Sequence, residues 1–252
     1  MEQALSKVPS PSREVVRCQQ DVYLDSYSLA YRTQAEMWTP RCEEEVVSCF
    51  ARLRREGRRG SLRGTGYCFD RQSLGDDVSL CLTEMNRIVA VDEVQGTITV
   101  QPGVTWGEVV RRLLPTGWMM PVMPTSPKIS VGGTLSCNAT SRFSPVHGKE
   151  GEHVLSFVLI TPRGKRLICT RAEQPELFHA VIGGFGFFGA VVEITYQLHH
   201  IGARRRIESQ IEKFDDLEVL FARLREASRQ GDVWDSVSSP VICSPRDRKG
   251  MV

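Results

Sequence analysis

The sequence has no excess of charge of either sign, no long apolar run and no closely paired cysteines. Its 32 basic and 30 acidic residues leave a formal net charge of +2, which gives no argument for nucleic acid or an anionic membrane as a partner. No apolar stretch reaches the roughly 20 residues of a membrane-spanning helix. The eight cysteines are scattered and form no C-x-x-C pair, so we expect no metal site and mostly buried thiols.

The N-terminal segment, MEQALSKVPSPSR, also lacks the apolar stretch of a signal peptide. We therefore expect a cytoplasmic protein. With 252 residues, 41% of them apolar and 25% charged, the chain is long enough for a globular protein with a substantial core.

Helices and strands alternate along the middle of the chain. An apolar stripe that includes Val46 and Phe50, preceded by three glutamates and followed by Gly57, predicts a helix. Two further helices are predicted at 106–114 and 176–182. Strands are predicted at 78–82, 88–91, 97–101, 154–161, 167–169 and 190–198. This pattern predicts an α+β fold of two mixed lobes, roughly 40–115 and 130–198.

The two ends of the chain differ from this middle part. Residues 1–38 are mixed and polar, although the aromatic residues between Tyr23 and Trp38 should pack onto the main body. After Leu198 we expect a strand at 207–211, a helix at 214–226 and a loose polar tail, SPRDRKGMV.

The segment Arg63-Gly64-Thr65-Gly66-Tyr67-Cys68 is the first candidate site. Two glycines around a threonine let the backbone turn tightly, and successive N–H groups in such a turn form a concave site for an anion. We expect Arg63 to add positive charge, so a phosphate is the natural ligand.

The segment Gly184-Phe185-Gly186-Phe187-Phe188-Gly189 matches the G-x-G-x-x-G pattern of dinucleotide-binding folds. That pattern must follow a strand and open a helix, whereas here it follows a predicted helix and precedes a predicted strand. We reject the dinucleotide interpretation. The glycines are better explained by close packing against a planar ligand or a neighbouring strand.

The segment Ser130-Val131-Gly132-Gly133-Thr134-Leu135-Ser136 follows a proline-rich loop. It could place the start of a helix against a second phosphate or a polar ring edge, although an ordinary tight turn capped by hydroxyl groups is the alternative. Two such loops, in two lobes, suggest one extended ligand that spans both.

Six ordered segments together resemble a known family. They are RGTGYCFDRQSL, LTEMNRI, VQPGVTWGEV, ISVGGTLSCNATS, HG at 147–148, and ELFHAVIGGFGFFGAVVEITYQL. In order and spacing they resemble the FAD-binding oxidoreductases of the vanillyl-alcohol oxidase and p-cresol methylhydroxylase (PCMH) type, and cytokinin dehydrogenases and decaprenylphosphoryl-ribose oxidases most of all.

The resemblance implies a two-lobed PCMH-type FAD-binding domain at 39–200, after an N-terminal extension at 1–38 and before the start of a substrate cap domain at 201–252. It implies that residues 63–68 and 72–73 wrap the pyrophosphate and ribityl chain of FAD. It also implies that residues within 125–140 line the flavin ring and phosphates, and that two residues after Gly189 approach the adenine or ribose through their backbone. The implied cofactor residues are Arg63, Gly64, Thr65, Gly66, Tyr67, Cys68, Gln72, Ser73, Thr125, Ser130, Val131, Gly132, Gly133, Ser136, Thr140, Ala190 and Val191.

Departures from the family pattern are informative. Many members carry a histidine at the position of Tyr67 that bonds covalently to the flavin, and some carry a linking cysteine where this chain has Ser126. We therefore expect non-covalent FAD, with Cys68 as the remaining candidate for a covalent link. The proton-accepting aspartate of cytokinin dehydrogenases corresponds to Thr125, which puts that chemistry in doubt here.

The resemblance implies an FAD-dependent oxidase or dehydrogenase that takes a hydride from an alcohol, sugar or related C–H donor. Two alternatives stay open: a flavin-binding subunit or inactive fragment of a split enzyme, and, ranked lower, an NADPH-dependent reductase of the same fold. Because residues 201–252 are too few for a complete cap, we expect either a truncated gene, a fragment of a longer protein, or a partner chain or homo-oligomer that covers the incomplete cap. The sequence names no catalytic residue, and a lone His147 is more often structural.

Overall fold

The protein is described here from a computed structural model, which covers residues 16–202, 211–229, 241–243 and 248–251. Two sheets dominate it. The first sheet has four strands in the order β1-β2-β4-β3, and β4 runs parallel to both of its neighbours. Its strands are β1 (Arg17–Asp25), β2 (Arg32–Thr39), β3 (Gly60–Arg63) and β4 (Val78–Cys81).

Helix α1 (Glu43–Glu56) connects β2 to β3 and confirms the first predicted helix. Glu43 and its two neighbours place negative charge in the first turn, where the helix dipole favours it. Gly57 ends the helix with a left-handed φ of 63°, and its N–H bonds back to the last turn. Val46 and Phe50 are buried, as the apolar stripe predicted.

The second sheet is antiparallel and draws strands from both halves of the chain. A short strand, β7 (Trp118–Met119), lies apart from it and pairs with β11 (His199–His200). The order of the second sheet is β5-β6-β10-β8-β9. Its strands are β5 (Ile88–Asp92), β6 (Thr97–Val100), β8 (Val154–Ile160), β9 (Arg166–Thr170) and β10 (Ala190–Gln197).

This topology corrects the predicted lobe boundaries. Residues 88–100 were expected in a first lobe that ended near 115, but β6 pairs with β10 and β5 pairs with β6, so both strands belong to the second sheet. The error arose because contiguous sequence was taken as contiguous structure, whereas antiparallel pairing joins strands that are about 100 residues apart in the chain.

Short helices cover the second sheet, and a smaller unit follows it. Leu113, Leu135 and Phe178 pack from three of these helices into the core of the second sheet. A second core cluster joins α1, the first sheet and the outer face of β8 and β10. The remaining elements are α2 (Trp106–Leu113), α3 (Val131–Cys137), α4 (Ser144–His147), α5 (Pro175–Val181), β12 (Lys213–Phe214), α6 (Leu217–Arg229), β13 (Val241–Cys243) and β14 (Arg248–Met251).

The C-terminal predictions had mixed outcomes. Helix α6 confirms a helix in this region, three residues later than predicted at each end. The tail was expected to be loose, but β14 lies between β12 and β13 in a three-stranded sheet. The strand expected at 207–211 falls almost entirely outside the described residues. Among the described residues, no helix is both long and apolar enough to cross a membrane.

Candidate functional site

Loop 63–68 and segment 130–136 meet through a reciprocal pair of hydrogen bonds. Ser130 N–H donates to Thr65 Oγ1 at 3.1 Å, and Thr65 N–H donates to Ser130 Oγ at 3.4 Å. Gly64 allows this approach, because a Cβ on Gly64 would collide with Ser130 Oγ. The two small-residue loops, 65 residues apart in the chain, therefore form one continuous surface.

Arg63 lies behind the turn rather than in front of it. Its guanidinium donates to Asp25 O at 3.0 Å and to Ser73 Oγ at 3.3 Å. A Cβ on Gly66 would lie 2.6 Å from Arg63 Nη2, so this glycine rests directly on the guanidinium. Burial lowers the pKa of Arg63 below its usual value of 12.5. We expected a side chain that faces an anion; its first role here is to support the loop.

Three consecutive amides of loop 63–68 are free. The N–H groups of Gly66, Tyr67 and Cys68 donate to no acceptor in the described part of the chain, whereas the carbonyls of Cys68 and Phe69 both accept hydrogen bonds. Cys68 O accepts from Tyr27 N–H at 2.8 Å. Gly66 has a φ of 83°, in the left-handed region that allows adjacent N–H groups to converge. The loop therefore has the hydrogen-bonding character of an anion site.

The hairpin between β1 and β2 holds this loop. Tyr27 stacks on Tyr67 with ring centroids 4.9 Å apart and meets the edge of Phe69 at 5.2 Å. Ser28 Oγ donates to Phe69 O at 2.5 Å. The sequence suggested that these aromatic residues pack onto the main body, but it gave no sign that the hairpin tip reaches the candidate site.

Cys68 and Gln72 bond to each other beside the loop. Cys68 Sγ donates to Gln72 Oε1 at 2.8 Å, and Gln72 is exposed on a single 3-10 turn, Arg71–Ser73. Ser73 is half-buried and occupied by Arg63. Gln72 is therefore more accessible to a ligand than Ser73.

The start of α3 does not offer free amides. Val131 N–H donates to Val104 O at 2.8 Å, and Gly132 N–H donates to Pro102 O at 2.9 Å. The N–H groups of Gly133 and Thr134 both donate to Ser130 O. The expectation that this helix start receives a phosphate is therefore wrong in its detail, because protein carbonyls already occupy the four amides. What α3 presents is a small, exposed Gly133 surface.

A buried polar network fixes the inner side of α3. Thr134 Oγ1 accepts from Trp106 Nε1 at 3.0 Å and lies 3.0 Å from Glu150 Oε1. Tyr196 O–H donates to the same Glu150 oxygen at 2.6 Å. Burial raises the pKa of Glu150 to about 8, and Glu150 Oε2 has no partner among the described residues. The sequence gave no signal for this acid, because its burial comes from tertiary packing.

The loop that contains G-x-G-x-x-G forms the third side of the site. It follows α5 and precedes β10, which confirms the order used to reject the dinucleotide interpretation. Phe185 N–H donates to Ser136 O at 2.9 Å, and Gly186 lies against Leu62 of β3. Phe187 is 83% exposed beside this surface. The loop therefore contacts segment 130–136 and the strand that leads into loop 63–68.

The remaining candidate residues lie around this centre. Thr140 is exposed shortly after α3, and Ser136 Oγ donates to Gly132 O at 2.7 Å. The Ala190 side chain is fully buried in the core, so a ligand could reach this residue only through its backbone or through half-buried Val191. Thr125 is exposed and lines a separate cavity of about 780 Å³ beside α2.

His147 takes part in structural contacts. Its carbonyl lies 2.7 Å from His153 Nε2, and its ring lies 5.4 Å from the ring of His199. Among the described residues, no group of three or more histidine, cysteine, aspartate or glutamate side chains could hold a metal ion.

Comparisons with known proteins agree with this arrangement. Residues 36–170, more than half of the chain, match the family model described as "FAD binding domain". Decaprenylphosphoryl-beta-D-ribose oxidase of Mycolicibacterium smegmatis is 29% identical over 158 residues, which cover 62% of this chain and 34% of that protein. Cytokinin dehydrogenase 8 of Oryza sativa subsp. japonica is 36% identical over 105 residues, covering 42% of this chain and 20% of that protein.

The fold has a counterpart among solved structures. A chitooligosaccharide oxidase superposes with a TM-score of 0.64 at 20% identity, covering 70% of this chain and 38% of that one. The chain spans about a third of the length of the first curated relatives that it matches. From its sequence and fold, the chain belongs to the family of FAD-binding domains found in FAD-dependent oxidoreductases.

Proposed function

We propose that this chain holds the FAD of an oxidoreductase that removes a hydride from an alcohol, a sugar or a related C–H donor. The observation that carries the proposal is the loop 63–68, which leaves three adjacent amides free and is bonded to segment 130–136. When bound, FAD supplies a ring that accepts a hydride from a C–H bond next to oxygen or nitrogen. The chain's own contribution is to bind and orient that cofactor.

The chemistry of the loop fits the pyrophosphate of FAD. A dianionic group needs several hydrogen-bond donors, and the amides of Gly66, Tyr67 and Cys68 are unoccupied. Gly64 and Gly133 lack side chains where the two segments meet, so the backbone can approach a ligand closely. The guanidinium of Arg63 behind Gly66 adds a positive potential to the same place.

The residues also favour a cofactor that is not covalently attached. Tyr67 cannot form the histidyl bond that many relatives have at this position, and its ring is stacked on Tyr27. Cys68 Sγ is hydrogen-bonded to Gln72. Acid precipitation of the yellow protein should leave the flavin in the supernatant. Flavin in the pellet would mean a covalent bond, and a Cys68→Ser variant would then show whether this thiol forms it.

The individual assignments are part of the proposal. We assign 39–200 to the FAD-binding domain and 201–252 to the start of a substrate cap domain. The proposed cofactor residues are Arg63, Gly64, Thr65, Gly66, Tyr67, Cys68, Gln72, Ser73, Thr125, Ser130, Val131, Gly132, Gly133, Ser136, Thr140, Ala190 and Val191. Ser130 and Val131 act by holding the segment, since both are buried.

The proposal is tested by purifying the chain with FAD and mixing it anaerobically with alcohols and sugars. Bleaching of the flavin absorbance by one of these donors is the expected result. Bleaching by NADPH alone would instead favour a reductase of the same fold. Bound FAD that no donor reduces would favour a flavin-binding subunit of a split enzyme. A protein that binds no FAD at all would contradict the proposal.

A further inference from the structure

A second candidate binding site lies beside the loop that carries Thr125. It is a cavity of about 780 Å³, within the range of roughly 300–1,000 Å³ that small-molecule sites occupy. Three separate segments form its walls: the first half of α2, the proline-rich loop at 123–128, and residues 142–143. It shares only Thr125 with the proposed cofactor residues.

The wall between α2 and the proline-rich loop is fixed by backbone bonds. Gly107 N–H donates to Pro127 O at 2.8 Å, and Trp106 N–H donates to Ile129 O at 3.0 Å. A Cβ on Gly107 would lie only 3.0 Å from Pro127 O, so the two backbones are in direct contact. The cavity is therefore a feature of packed backbone rather than a gap between mobile side chains.

The lining of the cavity is mainly apolar. Trp106 is only 2% exposed and anchors the helix end of the cavity in the core. Met123 packs against the same core from the proline-rich loop. The apolar lining residues are Trp106, Val110, Met123, Pro124, Pro127 and Phe143. This lining favours a ligand with an apolar body.

The charges at the cavity all have one sign. Arg111, Lys128 and Arg142 line it, each from a different segment, and no carboxylate does. None of the three has an ion pair with a described residue, and all three are exposed. The nearest carboxylate in sequence, Glu108, is bonded to the N–H and hydroxyl of Thr105 as a helix cap. Three unpaired cations around an apolar cavity favour an anion.

We propose that this cavity binds an amphipathic organic anion, an apolar body that carries one phosphate or carboxylate group. The apolar part packs on the half-buried side chains of Val110, Met123 and Phe143. The anionic group is held by Arg111, Lys128 and Arg142. Because Thr125 joins the cavity to the proposed cofactor site, such an anion is the class of substrate that would lie beside the flavin. This last step, and only this step, rests on the proposed function.

Calorimetric titration of the FAD-loaded chain with hexyl phosphate, hexanoate, hexanol and inorganic phosphate tests the proposal. Hexyl phosphate and hexanoate should bind at least tenfold more tightly than hexanol or inorganic phosphate, and the stronger of the two identifies the anionic group. Equal binding of hexanol would overturn the role of charge. Equal binding of inorganic phosphate would overturn the role of the apolar lining.

Matched variants locate the site. Arg142→Gln and Arg111→Gln should each weaken hexyl phosphate binding by about tenfold, since each removes a charge-assisted contact. Arg112→Gln, the neighbouring exposed arginine on α2 that does not line the cavity, should leave binding unchanged. An equal effect of Arg112→Gln would reduce the result to general surface charge and overturn the proposal.

The same samples separate this proposal from the proposed function. Flavin absorbance measures FAD content independently of the probe. Probe binding by a chain that holds no FAD would sustain the cavity and contradict the cofactor assignment. FAD binding without probe binding would support the cofactor assignment and contradict the proposed binding site in the cavity. If FAD displaces hexyl phosphate from the apoprotein, the cavity belongs to the cofactor site and the proposal fails.

Discussion

Loop 63–68 and segment 130–136 contain similar residues, glycines next to hydroxyl side chains, but their backbones are used in different ways. In loop 63–68 the Cys68 carbonyl accepts a hydrogen bond from the β1–β2 hairpin, and three adjacent amides donate to no described residue. In segment 130–136 the first four helix amides are occupied by protein carbonyls. The first segment offers donors to a ligand, and the second offers a rigid surface.

The difference follows from what surrounds each segment. Loop 63–68 lies at the end of a four-residue strand and is supported by Arg63 from behind. Segment 130–136 packs on the core of the second sheet, and its Thr134 contacts the buried acid Glu150. A glycine-rich sequence therefore indicates close approach, but only the tertiary contacts decide which backbone groups stay available.

The largest effect is expected from Glu150, which is hydrogen-bonded to Thr134 of segment 130–136. Because the pKa of Glu150 is raised from 4.5 to about 8, the folded protein binds a proton that the unfolded chain releases. The free energy of unfolding should therefore fall as pH rises from 4.5 to 8, by about 1.4 kcal/mol per unit, and level off above 8. Glu150→Gln should remove this slope.

Thermal unfolding of both proteins between pH 5 and 9 measures the effect. Tyr196 stays protonated across this range, because burial and the neighbouring Glu150 raise its pKa well above 10.0. Glu152→Gln is the control, since Glu152 is an exposed carboxylate on the same turn and accepts from Lys149 N–H. If stability depends on pH in the same way in the wild type and in Glu150→Gln, Glu150 is ionised in the folded protein and the prediction is wrong.

Separating the two segments should abolish cofactor binding. The Cβ of Gly64→Ala would collide with Ser130 Oγ, so the reciprocal bonds between Thr65 and Ser130 could not form. We expect at least a hundredfold loss of FAD affinity, measured by quenching of flavin fluorescence. Gly57→Ala, at the end of α1 and away from both segments, is the control for a glycine replacement, because its Cβ would meet nothing within 4 Å. Similar affinities for the two variants would contradict the account.

Removing one bond between the segments should have a smaller effect. Thr65→Val keeps the shape of the side chain but leaves the N–H of buried Ser130 without its acceptor. An unsatisfied buried donor costs about 1–3 kcal/mol, so both the melting temperature and the FAD affinity should fall. Thr170→Val removes similar bonds, to the N–H groups of Ala172 and Glu173 in the turn after β9, and should leave FAD affinity unchanged.

The smallest effect is expected from the hairpin that holds loop 63–68. Tyr27→Ala removes the stacking on Tyr67, which is worth about 0.5–1.5 kcal/mol in aromatic pairs. FAD affinity should therefore fall by a few-fold. Tyr23→Ala, which replaces an exposed tyrosine on β1 four residues before Tyr27, is the control. If both variants bind FAD equally well, the hairpin does not position the loop.

Sequence patterns predicted the elements whose contacts are local. Helix α1 could be predicted because its apolar stripe and its Gly57 cap lie within 15 consecutive residues. The hairpin β1–β2 was not, since β1 is a largely exposed edge strand with a weak alternating pattern. Strand β14 was taken for a tail because its residues, Arg248–Met251, are mostly polar.

For the candidate site, the sequence predicted which segments meet but not how they meet. Gly64 and the glycine pair at 132–133 indicated close backbone approach, and the contacts with Ser130 agree. Glu150 could not be predicted, because Tyr196, one of its partners, lies 46 residues away in the chain and on another element. The position of the Arg63 guanidinium likewise depends on Asp25, 38 residues earlier.

Hydrogen exchange of the backbone amides, with and without FAD, tests the central claim most directly. The account predicts that FAD slows exchange at Gly66, Tyr67 and Cys68, whose amides are otherwise free. It predicts little change at 131–134, whose amides are already bonded within the protein. Protection of 131–134 with no change at 66–68 would contradict the claim that loop 63–68 supplies the donors for the cofactor.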